Sequence, residues 1–417
     1  MRVWVVKTSE MLAEDGNHGR LLRSGMIAQL LDKRGHDVTW WMSTFDHAHR
    51  RQRAGQDLSR PFGSRGTIRM LRSPGYRRTV SLRRLLDHFI WGRRFARAVR
   101  ALPAPDVILC AYPTIESAWV CARFGHALGR PVAVDLRDMW PDIFSRDAGG
   151  ALAPLVRLVL TPYERMARRA LAGATALYGI TDEFLEWGLA KAGRSRRAVD
   201  AAFPLAYPAP AREIDPEAAR RWDELGVTRE GAFNVVFIGS LNGRGYRMEP
   251  VIEAARLLMR SGAPVRFVMC GEGDDLLRLR HLTAGVKSIL WPGWISAPQI
   301  RALLARAHLG LVPYRNTPDL MISVPNKAAE YMASGVPVAT SLRGTLRRVL
   351  TDHSCGWAYD ETDPATLARE ILNLNADRQR HKAMGERALE LYEREYRAED
   401  VYNRLVDRLE SLAAHRA

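Results

Sequence analysis

Short apolar runs alternate with helix-period stretches almost from end to end of this chain, and few architectures accept that pattern. It argues for parallel sheets covered by helices on both faces. In the first half the strand candidates are RVWVVK, DVTWWM, DVILCAY, PVAVDLR and ALYGI. Helical patterns lie between them near Gly19 to Arg34, Leu82 to Arg100, Glu116 to Leu128, Pro154 to Leu171 and Asp182 to Ala192. The stretch FPLAYPAPAREIDPE then brings four prolines within Phe203 to Glu217, which is linker composition. A second series follows: NVVFIGS, PVRFVMCGEG, SILWPGW, LGLVPY, PVATS and GWAYD, again interleaved with helices. The expected division is a first α/β domain over residues 1–205, a second over 206–385, and polar C-terminal helices over 386–417. Two such domains leave a cleft, and ligands of open parallel sheets bind at carboxyl edges.

Composition narrows the class further. A chain of 417 residues with 47% apolar and 26% charged side chains is neither disordered, collagen-like nor a disulfide miniprotein. No window reaches the roughly 20 apolar residues of a membrane span, and MRVWVVKTSE reads as a strand. A cytoplasmic protein is expected. The cysteines Cys110, Cys121, Cys270 and Cys355 form no Cys-x-x-Cys pair, which reads as buried free thiols. The net charge is +16, and most of it is local: residues 48–100 hold fifteen arginines against Asp57 and Asp87. That segment can attract a polyanion or an anionic membrane surface. Within it, Leu82, Leu86, Phe89, Ala96 and Val99 fall at helical spacing beside arginines. Such a helix lies on anionic lipid, or packs on its own domain with its arginines in water. Nucleic acid is not an expected partner, since no helix-turn-helix, zinc finger or aromatic RNA-binding strand accompanies the charge.

The richest stretch is LGLVPYRNTPDLMISVPNKAAEYMASGVPVATS, Leu309 to Ser341. A buried strand ends at Tyr314, a polar loop follows, and Pro325 sits where a first helical turn accepts it. The helix runs to Ser334 and stops at Gly335. Its free amides then point at the sheet's carboxyl edge, an anion site suited to a diphosphate. Lys327 in the first turn adds a charge, and Glu330 can accept hydrogen bonds from two sugar hydroxyls; a capped structural helix with solvated Lys and Glu is the other reading. In FIGSLNGRGYRMEPVIEA, Phe237 to Ala254, a strand enters a loop in which Gly239, Gly243 and Gly245 let amides approach an anion and Arg244 or Arg247 can neutralise it. Met248 stands where a Gly-x-Gly-x-x-Gly fingerprint needs its last glycine, so an NAD site is not expected. The turn GEGDD, with Gly271 and Glu272, follows the next strand. In the first half, DGNHGRLLRSG places Gly16, His18 and Gly19 after the first strand, where a substrate can approach or His18 simply faces water. DLRDMWPD sets Arg137 and Asp138 at a strand end, facing the cleft or closing an internal salt bridge. No Asp-x-Asp, His-Glu-x-x-His or Walker loop appears, so no metal is expected.

GHDVTWW, DLRDMWPD, VVFIGSLNG, VMCGEGDD and VPNKAAEYMASGVPVATS occur in the order seen in the GT-B glycosyltransferases, and over nearly its whole length the chain resembles their retaining family-four group. The wording RDMWPD resembles transferases that build lipid-linked surface polysaccharides. The resemblance implies two Rossmann-like domains facing a cleft, with the C-terminal helices crossing back to the first. It implies a nucleotide-diphosphate sugar as donor substrate, no resident cofactor, and a lipid-linked or saccharide acceptor at the inner face of the membrane. The first domain would bind the acceptor through Gly16, His18, Gly19 and Arg137, and the second the donor. Glu330 would hold the ribose, and the amides of Ser323, Val324, Pro325's neighbour Asn326, and Lys327 would meet phosphate or sugar alongside Gly239, Gly243, Gly271 and Glu272. Arg244 or Arg247 would supply the diphosphate's cation, with Asp138 as the catalytic carboxylate. Ile322 stands where the family often has a second glutamate, and Ser240 where it often has arginine. A soluble small-molecule acceptor shares all these donor features.

Overall fold

Runs rich in Val, Ile, Leu and Trp become strands because branched and aromatic side chains pack well on a pleated surface covered from both sides. In a computed structural model, which describes residues 1–12, 15, 21–78, 81–147, 153–211, 213–242 and 245–415, they build two large sheets beside one two-stranded ribbon. Each large sheet has its own unit of chain. The first comprises Met1–Pro204 with Asp400–Ala417, the second Leu205–Glu399.

The first unit contains β1 (Arg2–Val6), β2 (Asp37–Ser43), the ribbon of β3 (Phe45–Asp46) and β4 (Arg51–Gln52), and β5 (Leu58–Phe62), β6 (Gly66–Leu71), β7 (Val107–Tyr112), β8 (Val132–Leu136), β9 (Ala176–Gly179) and β10 (Ala201–Ala202). Eight of these form one sheet in the order β10-β9-β8-β7-β1-β2-β6-β5, parallel except at β5. Its helices are α1 (Arg23–Lys33), α2 (Leu82–Ala98), α3 (Ile115–Leu128), α4 (Asp142–Asp147), α5 (Ala153–Ala172) and α6 (Asp182–Ala192). The first helix starts at Arg23 rather than Gly19, which lies outside the described residues. The hairpin of β5 and β6 falls inside the arginine-rich segment. There β6, Gly66–Leu71, alternates buried Ile68 and Met70 with Thr67 and Arg69, a half-buried strand hidden by its charges.

The second unit contains α7 (Pro216–Glu224), β11 (Phe233–Ile238), α8 (Glu249–Arg260), β12 (Val265–Cys270), α9 (Leu276–Leu282), β13 (Ile289–Gly293), α10 (Ala297–Leu304), β14 (Leu309–Val312), α11 (Pro318–Met321), α12 (Asn326–Ala333), β15 (Val338–Thr340), α13 (Thr345–Asp352), β16 (Gly356–Ala358), α14 (Pro364–Ala376) and α15 (Arg378–Leu391). Its six strands are all parallel, in the order β13-β12-β11-β14-β15-β16. The order reverses between β11 and β14, so a crevice opens past their carboxyl ends. The last helix, α16 (Ala398–Ala414), belongs over nearly all its length to the first unit. There Arg34 of α1 reaches Asp407, Asn403 and Glu410, and Arg23 lies 5.4 Å from the Tyr402 ring. The C-terminal stretch is thus divided: α15 packs with the second unit and α16 with the first.

Candidate functional site

In the second unit the turns after β11 and β12 interlock. Gly239 donates to Cys270 O at 3.0 Å, Leu241 to Glu272 O at 2.8 Å, and Asp275 back to Leu241 O at 2.9 Å. Gly271 has φ +143°, and a Cβ there would lie 1.8 Å from the Gly239 carbonyl oxygen. Only glycine admits that approach. Ser240 accepts a hydrogen bond from Asn242 at its hydroxyl, and Glu272 is exposed, contributing its carbonyl to the turn. Gly243 and Arg244 lie outside the described residues.

The helix facing these turns is α12. Pro325 is its N-cap, φ −65° and ψ 146°, rather than its first helical residue. Its first amides precede any intrahelical acceptor, so they are presented at the sheet's carboxyl edge. Val336 and Gly335 close the other end with bonds to Tyr331 O and Met332 O, both at 3.0 Å. Ser323 and Val324 are buried below the helix start, Ser323 bonding its hydroxyl to Leu320 O, while Asn326 is exposed.

Lys327 and Glu330 are buried, 7% and 4% exposed, which removes the reading of a solvated pair. Lys327 Nζ donates to Tyr246 Oη at 2.8 Å and lies 4.6, 4.4 and 5.0 Å from the rings of Phe237, Tyr246 and Tyr314. A Cβ on Gly239 would meet this ammonium at 2.6 Å. Burial lowers the Lys327 pKa, and Tyr314 and Glu330 oppose that. The cage is what the sequence hid: Tyr246 and Tyr314, stacked at 4.6 Å, come from separate loops, and their approach shows only in three dimensions. Arg247 is half exposed and pairs with Glu361 at 3.3 Å.

The first unit's carboxyl edge is also ionic. Asp135, fully buried, accepts two bonds from Arg23 at 2.9 Å and one from Arg137 at 2.8 Å. Burial raises its pKa, but the two guanidinium groups overcome this and hold it at about 2. Arg137 also reaches Ser24 at 2.8 Å and Glu10 at 3.4 Å, so it closes an internal salt-bridge network. Asp138 accepts from Met139 N at 2.8 Å and from Trp140 Nε1 at 3.1 Å. Lys7, missed in the sequence, donates to Pro113 O at 3.2 Å and is brought down to about 8, by burial first and then by Arg137. Gly16, His18 and Gly19 lie outside the described residues. Among the described residues no three His, Cys, Asp or Glu side chains gather as a metal site, the four cysteines are buried and free, and no helix is long and apolar enough to cross a membrane.

Residues 232–377 match the family described as Glycosyl transferases group 1. Over 166 residues the chain is 26% identical to WcaL of Escherichia coli strain K12, named for a glycosyltransferase of colanic acid biosynthesis; the match covers 39% of this chain and 41% of that one. The chain thus spans about two fifths of the length of the curated relatives it matches. Among solved structures, HepE of Anabaena in complex with UDP aligns with a TM-score of 0.66 at 14% identity, covering 99% of this chain and 100% of that one. The sucrose-phosphate synthase of Thermosynechococcus elongatus aligns with a TM-score of 0.73 at 15% identity, covering 99% of each. Residues 232–377 thus match the glycosyl transferases group 1 family, and the chain as a whole is built on the GT-B fold.

Proposed function

We propose that this protein is a glycosyltransferase that takes a sugar from a nucleotide-diphosphate donor on its second unit and passes it to an acceptor hydroxyl. One observation carries the reading. At the carboxyl ends of β11 and β14, where strand order reverses, the interlocked turns at Gly239 and Gly271 meet Lys327 and the start of α12, inside the family-matched region. That edge offers backbone amides and a cation to a diphosphate and, through the buried carboxyl of Glu330, an acceptor for ribose hydroxyls. As the bond between sugar and diphosphate breaks, negative charge grows on the leaving group. Amides and cations already fixed at that position stabilise it, typically by several kcal/mol. The reading extends to retention of anomeric configuration, to a reaction without a metal, and to Arg244 or Arg247 assisting Lys327. The co-crystallised UDP of the HepE structure supports a uridine nucleotide as the first to try.

For the acceptor we propose a lipid-linked intermediate of a surface polysaccharide, handled by the first unit at the inner face of a membrane. WcaL and AmsK of Erwinia amylovora are both named for polysaccharide biosynthesis. The α2 helix supports the membrane side of this reading. Its Trp91, Phe95 and following Val99 are buried, whereas Leu82, Leu86 and Phe89 are 83%, 53% and 50% exposed. The helix therefore packs on its own unit and still presents an apolar stripe to solvent.

The test is parallel thermal stabilisation by UDP, GDP, dTDP and NAD. A nucleoside diphosphate is expected to raise the melting temperature by mass action and NAD to leave it unchanged. No stabilisation by any of the three diphosphates would overturn the donor assignment. Turnover in EDTA checks the metal-free reading: retained activity is expected.

A further inference from the structure

The apolar stripe of α2 does not end at Phe89. By helical spacing the face with Leu82, Leu86 and Phe89 goes on, with charge added, through Arg93 and Ala96 to Arg100 just past the helix, and this part lines a groove between α2 and α3 of about 490 Å³. Across from it stand Trp119, Val120 and Phe124 of α3, and Met166 of α5 closes one side. All of it lies within the first unit. The helices meet closely because Gly92 has no side chain: a Cβ there would come 2.7 Å from Glu116 Cβ.

Charge and apolar surface are combined here in a particular way. Arg93 lies 5.7 Å from the Phe89 ring on its own helix, and Arg123 lies 5.4 Å from the Trp119 ring on the other. Both arginines and Arg100 are exposed, so guanidinium groups rim a floor of rings and aliphatic carbon. The one acid lining the groove among the described residues is Glu116, 5% exposed. Its Oε1 accepts from Tyr163 at 2.8 Å, while its Oε2 has no hydrogen-bond partner among the described residues. Burial pushes this carboxyl up to about 7, so near neutrality only about half of the floor's single negative charge stands against the three guanidinium groups of the rim. The groove therefore favours a ligand that is anionic at one end and apolar along the rest. Helices in such a sheet run against the strands, so α2, α3 and α5 all begin at the carboxyl edge. At those starts Leu82 and Leu86 of α2 are exposed, as are Leu158 and Val159 of α5, at 70% and 68%.

We propose that the groove between α2 and α3 binds one phosphate-headed lipid of an anionic membrane leaflet, its hydrocarbon along Phe89, Trp119 and Phe124 and its phosphate on Arg93 and Arg123. This rests on the membrane-facing reading of the first unit and is tested apart from it. The probe is a fluorescent lysophosphatidic acid used below its micelle concentration, with the monoacylglycerol of the same chain as its uncharged counterpart. Saturable one-to-one binding of the anionic probe is expected, at least tenfold tighter than the neutral one. Ala96→Trp fills the groove and leaves every arginine in place; it should weaken the anionic probe at least tenfold while the protein still floats with phosphatidylglycerol vesicles. Arg93→Gln with Arg123→Gln, at exposed positions that leave the fold intact, should remove the preference for the charged probe. Equal binding of the anionic probe by wild type and Ala96→Trp overturns the site. So does absence of probe binding with self-association in sedimentation, which would give the groove to a second copy. Vesicle flotation lost in wild type, with the probe still bound, would overturn the membrane reading alone.

Discussion

Three positions carry most of the consequence at the scale of single residues. Glu330 is buried in α12, and under the proposed function its carboxylate bonds two ribose hydroxyls, each charged hydrogen bond being worth about 1.5–3 kcal/mol. Glu330→Ala should weaken nucleotide binding at least tenfold by titration calorimetry, and unchanged affinity would move the ribose elsewhere. Gly271 holds φ +143° with the Gly239 carbonyl where its Cβ would be. Gly271→Ala should cost about 3 kcal/mol or more and lower the melting temperature by roughly 10 °C, read by calorimetry. Asp135 makes a pH prediction. Its pKa falls from 3.8 to about 2 on folding, so the folded state binds its proton less readily than the unfolded chain. The resulting stability, about 2 kcal/mol, is present above pH 4 and lost as the pH falls toward 2. Asp135→Asn leaves Arg23 and Arg137 without their buried counter-charge and should cost about 3–5 kcal/mol near pH 6. In urea titrations the gap between variant and wild type should narrow steadily below pH 4; a constant gap would remove the ionic account.

The helix α12 shows how an element is read and what the reading leaves out. Its end follows from sequence: Gly335, at φ +64°, lets Val336 and Gly335 bond back to Tyr331 and Met332, a Schellman closure that needs a left-handed residue. Gly335→Ala should therefore cost about 1 kcal/mol, a drop of a few degrees in melting temperature, with nucleotide affinity unchanged. Its position at the sheet edge was legible too, because strand, loop and helix follow one another in a parallel α/β pattern. The surroundings of Lys327 were not. Local spacing says that a lysine sits in a first turn; it says nothing of Tyr246 and Tyr314, 68 residues apart in sequence, whose stacked rings take it. The network that binds Arg137 to Asp135, Glu10 and Ser24 is hidden for the same reason, three elements contributing to one buried cluster. With β6 the obstacle differed. Its two-residue alternation is present, but Arg69, between Arg65 and Arg72 on its flanks, reads as part of a charged tract, so side-chain identity masked the period.

Taken as a whole, the molecule separates its charges by purpose. The net +16 is concentrated between residues 48 and 100, where Asp57 and Asp87 are the acids, and part of that excess is neutralised by acids elsewhere in the unit: Arg53 pairs with Asp15 at 2.5 Å and Arg65 with Asp37 at 2.9 Å. What remains on α2 flanks three exposed apolar side chains, and this pairing of charge with exposed hydrocarbon discriminates between two kinds of attraction to a membrane. Attraction through charge alone fades as salt shortens the Debye length from about 30 Å at 0.01 M to about 3 Å at 1 M. Insertion of hydrocarbon does not fade, and each buried leucine adds about 1.5–3 kcal/mol whatever the salt. The wild-type protein should therefore float with phosphatidylglycerol vesicles at low salt and, at high salt or with neutral vesicles, keep only the smaller fraction held by hydrocarbon. Leu86→Asp with Phe89→Asp, changing only solvent-exposed positions, should abolish the salt-resistant fraction and leave the melting temperature within a few degrees of wild type. A protein that floats equally well with and without those substitutions is held by charge alone, and one that never floats takes a soluble acceptor.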